Sequence, residues 1–130
     1  MIATVTRSAF VALVLDGALA LATPSMAEMV NFKADLKAAS EVPPNDSKGS
    51  GSMTATYDTA SKKLCYKGSY SGLTGPATAA HCHGPAEPGS NAGVQIPVFS
   101  DATAKSPFEG EATLTDAQAS DLMAGKWYAK

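Results

Sequence analysis

The chain has 130 residues and a net charge of −2 at pH 7, with ten basic residues against twelve acidic ones. That length suits one small domain, and the balanced charge offers no basic stripe, which excludes nucleic acid as a partner. Arg7 is the only arginine, so the rest of the chain lacks the planar fork used for bidentate phosphate or carboxylate recognition.

Residues 1–27 read as a signal peptide. Arg7 supplies a positive start, an apolar run follows from Ala9 to Ala22, and Ser25-Met26-Ala27 presents small residues where a signal peptidase reads. Cleavage is expected after Ala27. The run is too short to span a bilayer and contains Asp16. The expected product is therefore secreted or periplasmic, with no membrane span after cleavage, and residues 28–130 form its single domain.

Beyond Ala27 the pattern is one of short strands divided by turn signals. Val30, Phe32, Ala34 and Leu36 alternate with Asn31, Lys33 and Asp35, which predicts a half-buried strand. Glu41-Val42-Pro43-Pro44 breaks it, and the Gly/Ser-rich segment 47–52 is expected to be mobile. Met53, Ala55 and Tyr57 define a second strand, and Lys62–Tyr70 a third with Leu64, Tyr66 and Tyr70 on one face. A fourth runs from Ala77 to His83. The glycines and prolines of Gly84–Gly93 make a long loop. A fifth strand carries Val94, Ile96 and Val98, with Pro97 favouring a sheet edge, and a sixth covers Pro107–Leu114. Thr115-Asp116-Ala117-Gln118 is a capping box for a single short helix that Gly125 can end. The fold class expected is all-β: an antiparallel, Greek-key-like β-sandwich or partly closed barrel with one short helix near the C-terminus.

The two histidines lie two residues apart, as His81-Cys82-His83, followed by Gly84-Pro85-Ala86. On a strand they share a face, with Cys82 on the other. Neutral imidazoles roughly 7 Å apart suit copper or zinc. Two ligands leave a site half filled. Tyr66 and Glu87 are the candidate additional ligands, and the amino group near Glu28 or a second chain are further ones. Cys65 and Cys82 are the only cysteines. An even count in an exported chain suggests a disulfide. A hairpin centred between Leu73 and Thr74 would set Cys65 opposite Cys82 at a Cα separation of about 4.5 Å, within bonding range.

These residues resemble the CHRD domain family, named from chordin and common in exported bacterial proteins. The likeness runs through Phe32…Leu36, Glu41-Val42-Pro43-Pro44, Tyr70-Ser71-Gly72-Leu73, Ala79-Ala80-His81-Cys82-His83-Gly84-Pro85-Ala86 and Gly110…Leu114-Thr115…Gln118…Leu122…Gly125…Trp127-Tyr128. The resemblance implies a β-sandwich. Family members continue past the tyrosine with a strand bearing another histidine and a Gly-Glu-Ile-Arg-Gly segment. Here Tyr128-Ala129-Lys130 closes the sequence, so the expectation is a missing last strand, an open sheet edge and self-association through it.

Two functional readings follow. In one, the domain binds a transition metal, copper first and zinc second, through His81 and His83. In the other, the histidines are structural, with Gly84, Pro85 and Ala86 fixing the loop path, and the domain is a protein-interaction module. Chordin-related domains belong to a protein that binds extracellular growth factors. No enzyme is expected: there is no nucleophile elbow, both histidines share one strand, and the paired acids Glu109 and Glu111 look solvent-exposed.

Overall fold

The computed structural model describes residues 3–8, 26–41, 43–87, 89–100 and 105–130. Among these residues nine strands and one α-helix follow in order: β1 (Ala3–Thr4), β2 (Thr6–Ser8), β3 (Met29–Lys37), β4 (Ser50–Asp58), β5 (Lys63–Ser71), β6 (Ala80–His83), β7 (Val94–Phe99), β8 (Phe108–Thr113), α1 (Asp116–Met123) and β9 (Tyr128–Ala129). They form a five-stranded sheet, β2-β3-β4-β5-β8, and a four-stranded sheet, β1-β9-β6-β7. Every pairing is antiparallel. Neither sheet closes on itself, so the architecture is the sandwich rather than the barrel.

The period-2 alternation in β3 does what it predicts: Val30, Phe32 and Ala34 are buried, while Asn31, Lys33 and Asp35 are exposed. Met53 and Tyr57 of β4 and Leu64 and Tyr66 of β5 join them from the same sheet. Cys82, Ile96 and Ala129 face them from the other sheet, and Leu114, Leu122 and Trp127 fill the space between. Burying a side chain such as Leu64 contributes about 1.5–3 kcal/mol, and its 1% exposure leaves nothing to discount.

Local signals set the connections. The Asp58 carboxylate accepts the Ala60 and Ser61 amides at 2.8 and 3.3 Å, which closes the β4–β5 turn. Those amides, Ala60 first, hold its carboxyl below the ordinary carboxylate range. The capping box forms as expected, with Thr115 Oγ1 accepting the Gln118 amide at 3.2 Å and Gln118 Oε1 accepting the Thr115 amide at 3.0 Å. Gly125 follows the helix at φ 73°, a left-handed conformation that favours glycine. Pro97 lies in β7, which is an edge strand.

Two expectations are corrected, and one further strand appears. Lys62–Tyr70 and Ala77–His83 do not form a hairpin. The two edges of β5 are taken by β4 and β8, with Cys65 opposite Thr56 on one side and Glu111 on the other. Its successor β6 crosses to the second sheet and starts only at Ala80. The Gly/Ser segment is not a mobile linker throughout, since Ser50–Ser52 open β4. A Cβ on Gly51 would stand 2.7 Å from the Ser69 carbonyl oxygen, so glycine there permits close strand approach. Tyr128–Ala129 forms β9, a short buried strand between β6 and β1 that the sequence pattern did not predict.

Residues 3–8, which lie within the expected leader, join both sheets in this structure. Ala3 and Thr4 pair with Ala129 and Tyr128. Thr6, Arg7 and Ser8 pair with Lys33, Phe32 and Asn31. Between them Val5 is buried, and its amide donates to the Trp127 carbonyl at 3.0 Å. The outer edges of β3 and β9 therefore carry β2 and β1 here. Residues 9–25 of the expected leader lie outside the described residues.

Candidate functional site

The His-x-His segment is β6, held on one side by β7 and on the other by β9. His81 exchanges two backbone hydrogen bonds with Lys130, each 2.8 Å, and His83 stands opposite Tyr128. Strand alternation sends the Cys82 side chain into the core, at 2% exposure, and leaves both imidazoles half-buried on the opposite face. The ring centres are 5.6 Å apart and perpendicular, closer than the strand rise alone would set them.

His83 is the better anchored of the pair. Its ring stacks on Tyr128 with centres 5.3 Å apart and planes at 10°. His83 Nδ1 lies 2.9 Å from the Ala92 carbonyl oxygen. A carbonyl only accepts, so Nδ1 carries the hydrogen, and in the neutral ring Nε2 keeps its lone pair. Tyr128 serves the same loop: its hydroxyl oxygen accepts the Ala92 amide at 2.8 Å. Its partnership with His83 had no signal in the sequence beyond its place in the family motif.

The Gly84–Gly93 loop is fastened at both ends. The Gly84 amide donates to the Gly93 carbonyl at 3.0 Å, and the Ala86 amide to the Lys126 carbonyl at 2.9 Å. The Gln95 side-chain amide donates to the Gly84 carbonyl, and Gln118 in turn donates to the Gln95 carbonyl at 3.0 Å, tying α1 to the loop. Gly84 packs against Trp127, and the Gly84–Pro85 peptide is cis.

The other sequence candidates lie elsewhere. Tyr66 is in the core beneath Cys82, and its hydroxyl reaches the carbonyls of Val98 and Pro97 at 3.2 and 3.4 Å. Burial raises its pKa, and the neighbouring Cys82 adds to the rise. It is on the wrong face to join the imidazoles. Glu87 is exposed in the loop, where its backbone carbonyl accepts the Ser90 amide at 3.1 Å. Among the described residues no group of three or more histidine, cysteine, aspartate or glutamate side chains could hold a metal ion. The imidazole pair therefore stands as two donors without a third of those types.

The expected disulfide is also absent. Cys65 and Cys82 are free thiols. Cys65 is exposed on the outer face of one sheet, whereas Cys82 points into the core from the other. Burial pushes the Cys82 thiol up from 9.0 to about 12, so it stays protonated and is unsuited to being a nucleophile or thiolate ligand.

The CHRD domain profile matches residues 32–130, which run from within β3 through β9 and include the His-x-His-Gly-Pro-Ala segment. The chain belongs to the CHRD domain family. A search of curated proteins and of solved structures found no match. In this CHRD domain the family segment after the second histidine has a mechanical reason, since Gly84 leaves room for Trp127 and Ala86 closes on Lys126. Among the described residues no helix is long and apolar enough to cross a membrane.

Proposed function

We propose that this CHRD domain is an exported, non-enzymatic module that binds a transition-metal ion, copper in preference to zinc, through His81 and His83. The observation that carries the reading is the hydrogen bond from His83 Nδ1 to the Ala92 carbonyl. It orients the ring and leaves Nε2 as the donor, the arrangement that metal-binding histidines use. A metal–nitrogen bond of about 2.0 Å puts an ion roughly 3 Å from each ring centre, and centres 5.6 Å apart fall within that span. Two protein ligands make a weak, exchangeable site, completed by water or by a second chain. The test is calorimetric titration of the full chain with Cu(II) and with Zn(II), beside His81→Ala. Saturable heat that disappears in the variant supports the reading, and identical traces reject it.

The second reading, an interaction module whose histidines are structural, has its own observation. His83 is stacked on Tyr128 and bound to Ala92, so it holds the Gly84–Gly93 loop without any ion. Under it, a partner captured from the extracytoplasmic fraction stays bound when metal is chelated.

A further inference from the structure

A second site lies at the end of the sandwich away from Trp127, where the two sheets part. A cavity of about 400 Å³ opens there beneath the connection from Leu73 to Ala79. Its wall includes Leu36 at the end of β3, Tyr70 at the end of β5, Phe99 at the end of β7 and Phe108 at the start of β8. The three rings touch one another, with centres 5.5 Å apart for Phe99–Phe108, 6.3 Å for Tyr70–Phe99 and 6.4 Å for Tyr70–Phe108. This is the spacing of offset and edge-to-face aromatic packing. All three are partly buried, so the cluster is not sealed inside the core.

The charge of the wall narrows the occupant. Lys130 is the only charged residue that lines the cavity among the described residues. Its ammonium already lies 3.4 Å from the Glu41 carboxylate, which is 7% exposed. Among the described residues the lining therefore offers no net charge. The neutral polar residues of the lining are Asn45, Ser47, Ser69, Tyr70, Thr74 and Thr78. A volume of about 400 Å³ falls in the range of small-molecule sites, which are mostly apolar with a few convergent polar groups.

We propose that this cavity binds a small, uncharged, ring-bearing molecule, its ring placed among Tyr70, Phe99 and Phe108 and a hydrogen-bonding group turned to the neutral polar side chains. The site is separate from the imidazole pair and needs no metal. The loop above it has few fixed contacts to break, since Thr74, Gly75 and Pro76 are exposed and lie outside regular structure.

The test uses N-phenyl-1-naphthylamine, a neutral aromatic dye that brightens in apolar surroundings, with the full chain. Saturable one-to-one binding at micromolar dye is expected. Ala77→Trp, a half-buried lining position on the loop, fills the cavity and weakens binding at least tenfold while leaving the thermal unfolding midpoint in place. Should that variant melt early, Thr78→Phe on the same loop is read instead. The anionic dye 1-anilinonaphthalene-8-sulfonate binds at least tenfold more weakly. Absence of saturation, or binding unchanged in a folded cavity-filling variant, overturns the site. Equal or tighter binding of the anionic dye overturns the assignment of an uncharged ligand.

Discussion

Gly84→Ala separates a packing role from a chemical role for the glycine of the His-Gly-Pro-Ala segment. A Cβ at Gly84 would stand 2.7 Å from Trp127 Cδ1, 2.8 Å from the Lys126 carbonyl oxygen and 3.3 Å from Trp127 Cγ. Comfortable carbon–carbon contact begins at about 3.5 Å, so the new methyl overlaps its surroundings on two sides. Neither neighbour can retreat freely. Trp127 is 1% exposed, and the Lys126 carbonyl is engaged by the Ala86 amide at 2.9 Å. Overpacking of this kind costs about 1–3 kcal/mol, and the two rigid contacts put Gly84→Ala near the upper figure. For a domain of this size that lowers the melting temperature by roughly 10 °C or more. The control is Gly75→Ala, where an added Cβ meets nothing within 4 Å. It should be neutral or stabilising by up to about 1 kcal/mol through the unfolded chain. Urea unfolding followed by Trp127 fluorescence reads both. A Gly84→Ala midpoint equal to that of the parent would refute the packing account and return the glycine to the chemistry of the loop.

Cys82 predicts a pH dependence. Burial raises its thiol from 9.0 to about 12, so above pH 9 the unfolded chain loses a proton that the folded one keeps. Its contribution to stability is flat below about pH 9 and falls by roughly 1.4 kcal/mol per pH unit from there to about 12. Urea midpoints between pH 8 and pH 11 should show a shallower decline in Cys82→Ala, and an unchanged slope would rule the effect out. The same burial makes one thiol, Cys65, titrate with a disulfide reagent in the native protein and both in denaturant; two sealed cysteines in denaturant would contradict the structure. Tyr128→Phe keeps the ring on His83 but removes the acceptor of the Ala92 amide. A loss of about 1 kcal/mol is expected, with faster hydrogen exchange at Ala92, and full protection of that amide would count against the anchor.

What was legible in the sequence was whatever depends on near neighbours. The alternation of Val30, Phe32 and Ala34, the Thr115/Gln118 box and the turn at Gly125 each rest on contacts within a few residues, and each appears as expected. The placement of His81 and His83 on one strand face, opposite Cys82, was legible for the same reason. Partner choice was not. A connection from Gly72 to Ala79 is equally suited to a hairpin and to a step between sheets, and the arithmetic that set Cys65 against Cys82 cannot tell them apart. The structure resolves it because β8 supplies the second partner of β5 from far along the chain. Tyr128 escaped for a related reason, since a two-residue strand has no periodicity to detect.

The pairing of residues 3–8 with both sheets bears on timing. An export signal must be extended and accessible while it is read, yet in the folded chain this stretch is clasped between Asn31–Lys33 and Tyr128–Ala129, with Val5 buried. If residues 1–27 act as an export signal, folding and export compete for the same six residues. If cleavage follows Ala27, two residues before β3, the cut leaves residues 3–8 held by backbone pairing and the buried Val5 alone, and their departure bares one backbone edge in each sheet. Under that reading, strand exchange between copies would follow processing rather than precede it.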